Sequence, residues 1–211
     1  MSNNIKIERL TVTPLYENCY IIHNGDEAVV VDPGGDYNVI KKFIIDNNLS
    51  VKYILATHGH FDHTGAVAAM KADFSSDFMI HESDVEILKK GSHHSAMFGL
   101  GGYTMPNADV FLNDGDVIKF SDIEISVIHT PGHTAGGVSF YMEALSVLIS
   151  GDTLFYESVG RTDFETSNSK ALVRSVKERL YTLPDDTVVL PGHGEHTSIG
   201  HEKLHNPFIR G

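Results

Sequence analysis

Histidine and aspartate residues gather in four short segments of the chain, each placed directly after an apolar run. The longest is His58-Gly59-His60-Phe61-Asp62-His63, which follows a predicted buried strand at residues 51–56. The other three segments are single residues after the runs at 123–130, 146–150 and 187–190, namely His133, Asp152 and His193. Four strands that end on such side chains predict one common site at a shared sheet edge.

Imidazole nitrogen and carboxylate oxygen without thiolate are donors that suit Zn²⁺, Fe or Mn²⁺. The spacing divides the seven residues between two ions: His58, His60 and His133 on one; Asp62, His63 and His193 on the other; Asp152 as a bridge. Two ions about 3.5 to 4 Å apart can share a water, lower its pKa to about 7 and polarise an electrophilic oxygen. This is hydrolytic chemistry, and Asp62 is also the candidate proton-handling residue.

Both late histidines follow the same dipeptide, in Pro131-Gly132-His133 and Pro191-Gly192-His193. Proline fixes φ and glycine opens conformations that other residues avoid, so Pro-Gly ends a strand and turns the next side chain sharply.

Two aspartates have an alternative interpretation. Asp62 can be the N-cap of a helix that begins at Thr64, and Asp32 can be a turn residue or a partner that orients a ligand histidine.

The surrounding pattern predicts an α/β (α+β) chain. Strands are expected at residues 5–13, 19–22, 27–31, 51–56, 78–80, 117–120, 123–128, 137–141, 146–149 and 187–190. Helices are expected at 37–47, 64–70, 84–89 and 169–181, and an irregular surface loop at 91–102. The strands fall into two groups interrupted by helices, which predicts two sheets packed face to face with helices outside.

Composition excludes several classes of protein. With 211 residues, 41% hydrophobic and 21% charged, the chain is expected to be one folded domain and not a disordered segment. The formal charge of −12 disfavours nucleic acid and membrane surfaces as partners. The first residues lack the apolar core of a secretory signal, and Cys19 is the sole cysteine, so a cytoplasmic location without disulfides is expected.

The motif Thr57-His58-Gly59-His60-Phe61-Asp62-His63, with His133, Asp152 and His193 after it, resembles the metallo-β-lactamase superfamily of binuclear hydrolases. That resemblance implies a four-layer αββα sandwich with two divalent ions, zinc being expected, at one edge of the β layers. Residues 151–155 and Gly160-Arg161 resemble the glyoxalase II group, hydroxyacylglutathione hydrolases that cleave S-lactoylglutathione. Asn206-Pro207-Phe208 is similar to short glyoxalase II-like proteins of bacteria.

The departures from glyoxalase II concern its substrate site. Only 18 residues follow His193, so a single domain over residues 1–211 is expected, without the C-terminal helical domain that helps to bind glutathione. Asp163 and Glu195 stand where the larger enzymes place tyrosines. Arg161 matches the family's basic residue and is predicted either to bind a substrate carboxylate or to form a structural salt bridge.

Three alternatives accompany the thioesterase hypothesis. The stretch Gly160 to Phe164 also resembles persulfide dioxygenases, whose single iron would take His58, His133 and Asp152. A flavo-diiron protein is disfavoured, because that group places glutamate at the position of His60. A structural zinc module is disfavoured, because it needs four ligands and not seven.

A thioester suits a metal hydrolase, since a thiolate with a pKa near 8.5 leaves without a strong acid.

Overall fold

The computed structural model describes residues 5–211, which form two compact units, the first ending at Phe111 and the second beginning at Leu112. The first unit contains a sheet in the order β1-β2-β3-β4-β5-β6. The strands of this sheet are β1 Lys6–Val12, β2 Glu17–His23, β3 Glu27–Val31, β4 Ser50–Leu55, β5 Asp77–His81 and β6 Val110–Leu112, the last residue of which belongs to the second unit. Its helices are α1 Tyr37–Asp46, α2 Phe61–Thr64, α3 Val67–Phe74 and α4 Val85–Met97.

Strand direction in the first sheet determines where the Asp32 turn and the histidine loop lie. Strands β1, β2 and β3 are antiparallel neighbours, whereas β3, β4 and β5 are parallel, with α1 and α3 in the connections between them. The apolar face of α1, with Ile40 and Ile44, joins a core that also contains Val30 and Ile54. Since β3 and β4 are adjacent and parallel, the turn at Asp32 and the histidine loop after β4 lie at the same sheet edge.

The second unit has a sheet in the order β14-β13-β10-β9-β8-β7 and a separate hairpin of β11 and β12. Its strands are β7 Val117–Phe120, β8 Ile123–His129, β9 Val138–Met142, β10 Val147–Gly151, β11 Leu154–Phe155, β12 Ser158–Val159, β13 Val188–Pro191 and β14 Thr197–Ser198. Its helices are α5 Ser169–Arg174, which continues as a π-helical segment Ser175–Leu180, and α6 Ile199–His205.

Three strands of this second sheet end at the same edge. Strand β9 is antiparallel to both β8 and β10, so β8 and β10 run in one direction, and β13 is parallel to β10. His133, Asp152 and His193 each follow the carboxyl end of one of these three strands. The sheet topology therefore gathers these three residues on one side of the second unit.

Two predictions about local structure are wrong. Residues 91–97 are not an irregular loop, because α4 extends through Met97. Gly91 is buried within this helix, where a Cβ atom would lie 2.4 Å from the Tyr103 ring, so the glycine serves close packing and not chain flexibility. Asp62 is not a helix N-cap, because α2 begins one residue earlier, at Phe61, and His60 occupies the N-cap position.

The helices offer no candidate for a membrane span. Among residues 5–211, none combines the length and the apolar character needed to cross a bilayer.

Candidate metal centre

The histidine loop after β4 is held by contacts of Gly59. Its backbone N–H donates to the buried Asp84 carboxylate at 2.8 Å. A Cβ atom at this position would lie 2.7 Å from the Asp84 carbonyl oxygen, so only glycine permits the approach. The loop and α2 keep His58, Asp62 and His63 buried, with exposed fractions of 2%, 8% and 0%.

The loop histidines approach one another as ligands of an ion do. His58 Nε2 lies 3.0 Å from His60 Nδ1, and their rings are nearly perpendicular at 85°. Two nitrogens bound tetrahedrally to one zinc ion are about 3.3 Å apart, so this pair fits a common ion. His63 Nε2 lies 3.9 Å from Asp62 Oδ2, and the His63 ring centre is 4.0 Å from that of His58.

Asp32 orients two of these histidines. Its Oδ1 accepts a hydrogen bond from Thr57 N–H at 2.6 Å, and its Oδ2 accepts from the Thr57 hydroxyl at 2.6 Å and faces His63 Nδ1 at 3.0 Å. With its hydroxyl hydrogen directed to Asp32, Thr57 Oγ1 can accept from His58 Nδ1 at 3.1 Å. Both Nδ1 atoms then carry the proton and both Nε2 atoms carry the lone pair, the tautomer that binds a metal through Nε2.

Asp32 is both a turn residue and a partner that orients a candidate ligand histidine. Its φ of 50° is in the left-handed region, which the turn between β3 and α1 requires. That same turn directs the carboxylate, only 1% exposed, toward Thr57 and His63.

Sequence reasoning missed Glu17, at the start of β2. This carboxylate is buried, with Oε1 3.8 Å from His63 Nδ1, so two carboxylates lie on the same side of that imidazole. Burial raises the pKa of the Cys19 thiol well above its ordinary value, and the negative charges of Glu17 and Asp32 add a smaller increase. Cys19 therefore stays a neutral thiol, and the candidate metal ligands of this unit remain imidazole nitrogens and carboxylate oxygens.

In the second unit, one carboxylate oxygen lies near two imidazoles. Asp152 Oδ2 is 3.5 Å from His133 Nε2 and 3.8 Å from His193 Nε2. His133 Nδ1 lies 2.8 Å from the carbonyl oxygen of Arg161 and donates to it, which places the ring's lone pair on Nε2, toward Asp152. A carboxylate oxygen close to two imidazole nitrogens that can bind metal is what a bridging ligand requires.

Two glycines permit this arrangement. Gly132, with φ of 149°, precedes His133, and a Cβ atom there would lie 2.4 Å from Leu172 Cα. At Gly160, a Cβ atom would lie 1.8 Å from the Asp152 carbonyl oxygen. The prediction that glycine turns the chain before His133 agrees with this geometry, whereas the packing role of Gly160 depends on a contact that the sequence does not reveal.

Arg161 forms a salt bridge with its neighbour Asp163. Its Nε and Nη2 atoms donate to the two carboxylate oxygens, both at 2.6 Å, and its guanidinium lies over the Phe164 ring at 4.6 Å. The hydrogen bond raises the pKa of Arg161 and lowers the pKa of Asp163. Both side chains remain about 60% exposed, at 61% and 63%, so a substrate carboxylate can reach Arg161 but must compete with Asp163.

The donor set fits divalent metal ions. In each unit, imidazole nitrogens and carboxylate oxygens converge, and hydrogen bonds to Nδ1 of His58, His63 and His133 set the tautomer that ligation requires.

Comparison with known proteins agrees with this chemistry. Residues 12–193 match the family described as the metallo-beta-lactamase superfamily. The chain belongs to that superfamily of metal-dependent hydrolases, which confirms the resemblance seen in the histidine motif.

Individual relatives extend over nearly the whole chain. A Haemophilus influenzae protein named hydroxyacylglutathione hydrolase GloC is 34% identical, and the match covers 97% of this chain and 98% of that protein. A crystal structure titled BLEG-1 B3 metallo-beta-lactamase has a TM-score of 0.91 at 36% identity, covering 98% and 100% of the two chains. A structure of TTHA1623 in a di-iron-bound form has a TM-score of 0.87 at 35% identity, covering 96% and 100%. The predicted α/β metallo-β-lactamase fold is confirmed.

Proposed function

We propose that this chain is a binuclear thioesterase of the glyoxalase II type that hydrolyses S-lactoylglutathione or a related acyl thioester. The observation that carries the proposal is the position of Asp152 Oδ2 near Nε2 of both His133 and His193, because a shared oxygen is what two adjacent ions require. The proposed ligand sets are His58, His60 and His133 for one ion; Asp62, His63 and His193 for the other; Asp152 for both. Membership of the superfamily supports this assignment.

Each part of the site has a stated task. Two bound divalent ions would supply a water of lowered pKa and an electrophile for the carbonyl oxygen. Asp32 and the Arg161 carbonyl oxygen keep the ligand imidazoles in the required tautomer. Asp62 Oδ2, beside His63, is the carboxylate that can accept a proton when the thioester carbonyl is attacked. The thiolate, with a pKa near 8.5, leaves without a protonated acid.

Zinc is the proposed metal, and iron is the leading alternative because the similar TTHA1623 structure is a di-iron form. The thiol carrier is proposed to be glutathione, since a relative at 34% identity is named a hydroxyacylglutathione hydrolase. We place the protein in the cytoplasm, where low-molecular-weight thiols are kept reduced. Its partner there is a small thioester and not a nucleic acid or a membrane.

Metal analysis and substrate turnover test the proposal together. The purified holoprotein is expected to contain two ions per chain and to hydrolyse S-lactoylglutathione without consuming oxygen. A single iron per chain, with oxygen uptake on glutathione persulfide, would instead establish the dioxygenase alternative that the stretch Gly160 to Phe164 resembles.

The salt bridge between Arg161 and Asp163 predicts how substrate affinity changes on mutation. Asp163→Asn removes the competing carboxylate charge, so the KM for S-lactoylglutathione should fall by about fivefold, a small effect because exposed ion pairs are weak. Arg161→Ala should raise KM more than it lowers kcat, the pattern expected when uniform binding is lost. Steady-state kinetics followed by thioester absorbance measure both variants.

A thioester without carboxylate groups is the control substrate, and its KM should not change in either variant. If Arg161→Ala lowers kcat alone, or if Asp163→Asn raises the KM for the anionic substrate, Arg161 does not bind the substrate carboxylate.

A further inference from the structure

Tyr103 connects the long helix α4 to the short helix that carries two of the proposed ligands. It follows Gly101 and Gly102, and the φ of 87° at Gly102 lies in the left-handed region that favours glycine. The Tyr103 ring then lies against Gly91 of α4, where a Cβ atom would be 2.4 Å from Cε1 of the ring. A larger residue at position 91 would displace the ring, so this contact defines the position of the phenol.

The Tyr103 hydroxyl meets a threonine at the end of α2 that is fully buried. Thr64 Oγ1 lies 3.1 Å from the Tyr103 hydroxyl oxygen and donates to the His60 carbonyl oxygen at 2.9 Å. Since a threonine hydroxyl carries one hydrogen, which is here directed to His60, Thr64 Oγ1 accepts the hydrogen bond from Tyr103. Burial raises the pKa of Tyr103, although the bond to Thr64 opposes the rise, so the phenol stays protonated and can donate.

Helix α2 depends on such contacts because it is short. It spans only four residues, Phe61–Thr64, and an isolated helix of one turn is unstable in water. The His60 carbonyl oxygen is the acceptor at its N-terminal end, where it accepts from the His63 N–H at 3.1 Å and from the Thr64 hydroxyl. Tyr103 therefore supports, through Thr64, the turn on which the ligand side chains stand.

His60 is the proposed ligand most sensitive to the position of its own backbone. Its Nδ1 atom, 3.0 Å from His58 Nε2, is the atom that it would offer to their common ion. Nδ1 lies closer to the main chain than Nε2, so a displacement of the His60 backbone displaces the ligand atom directly. Hydrogen bonds to Nδ1 orient His58 and His63, whereas at His60 a contact with the backbone carbonyl takes that part.

We propose that Tyr103 is a positioning residue for the metal centre, which acts through Thr64 on the backbone of His60. The inference rests on the proposed function, because it concerns the ion assigned to His58, His60 and His133. Loss of the phenol hydroxyl would leave Thr64 Oγ1 without its donor and let the turn of α2 shift. The affinity for this ion should then fall more than the affinity for the other ion.

Chelator titration of the zinc-loaded holoprotein tests the inference. Zinc should leave the wild type in two steps, and the step that His60→Ala abolishes belongs to the ion in question. Tyr103→Phe keeps the packed ring and removes only the hydroxyl. In this variant the dissociation constant for that ion should rise about 3- to 10-fold, the scale of one neutral hydrogen bond, and the constant for the other ion should change less.

Two variants of Thr64 separate positioning from packing. Thr64→Val keeps the branched shape and removes the hydroxyl, so it should weaken this ion by about 10-fold, the lower end of the usual cost of losing a partner that orients a ligand. Thr64→Ser keeps the hydroxyl and should hold the ion as the wild type does. The double variant Tyr103→Phe/Thr64→Val should bind it no more weakly than Thr64→Val, because both changes remove the same linked contact.

Tyr37→Phe is the matched control. Tyr37 lines the same cavity as Tyr103, and its hydroxyl likewise donates to a side chain, Asp73 of α3, which is outside the proposed ligand set. This variant should lower the free energy of unfolding and keep both zinc affinities.

The inference is overturned if Tyr103→Phe binds both ions as the wild type does, if Thr64→Ser is as weak as Thr64→Val, or if Tyr37→Phe weakens the same ion equally. Each of these results would leave the wild type with two ions and the proposed function intact. A wild type with fewer than two zinc ions per chain would contradict the proposed ligand sets, and this inference with them.

Discussion

Asp152→Ala is expected to lower thioester hydrolysis by about 10³-fold or more, because loss of a single group that stabilises the transition state already costs 10²- to 10³-fold. The variant should also lose metal at both positions. The reason is geometric: Asp152 Oδ2 is near His133 Nε2 and also near His193 Nε2, so one substitution removes a donor from each proposed ion. Elemental analysis of metal per chain and a thioester assay on the same preparation measure the two effects.

His93→Ala is the control for that experiment. His93 lies on α4, exposed and outside the proposed ligand set, so metal content and turnover should both stay at wild-type values. A large loss of metal in His93→Ala would show that the ligand set is incomplete. Two ions per chain with near-normal turnover in Asp152→Ala would exclude the bridging role.

Alternation and helical periodicity predicted most elements of the fold correctly. The helix expected at 37–47 is observed as Tyr37–Asp46, and the strand expected at 27–31 is β3. The error at 91–97 arose because glycine, serine and histidine favour loops when no tertiary contact is known. Burial of Gly91 and Ser95 in α4, with Tyr103 packed against the glycine, outweighs those preferences.

Residue type and position after a strand were enough to nominate the seven candidate ligands, because the topology of each sheet brings neighbouring strand ends to one edge. Among the residues that orient the ligands, Asp32 was suggested by its position after a strand, whereas Thr57 and Arg161 could not be found in this way. Thr57 acts through a hydroxyl and Arg161 through its backbone carbonyl, and neither group has a distinctive sequence pattern. Glu17 is 46 positions from His63 in the chain and approaches it only because β2 pairs with β3.

Asp32→Ala is expected to weaken the ion held by His63 by about 10- to 100-fold, the usual cost of removing a partner that orients a metal ligand. The substitution removes the acceptor for His63 Nδ1 and for both donors of Thr57, so the tautomer of His63 is no longer fixed. The other ion should be affected less, since its ligand His58 is linked to Asp32 indirectly, through Thr57. Titration of each variant with a competing metal chelator resolves the two affinities.

Asp36→Ala is the matched control, because Asp36 also has a left-handed backbone, with φ of 42°. Its carboxylate likewise accepts hydrogen bonds from the backbone N–H and the hydroxyl of a threonine, Thr13, both at 2.8 Å. These hydrogen bonds of Asp36 go to Thr13 and not to a proposed ligand, so its loss should lower the free energy of unfolding and leave both metal affinities unchanged. If metal binding weakens equally in both variants, the loss comes from lower stability of the protein and not from lost orientation of His63. Wild-type affinity in Asp32→Ala would show that His63 does not need Asp32 for its orientation.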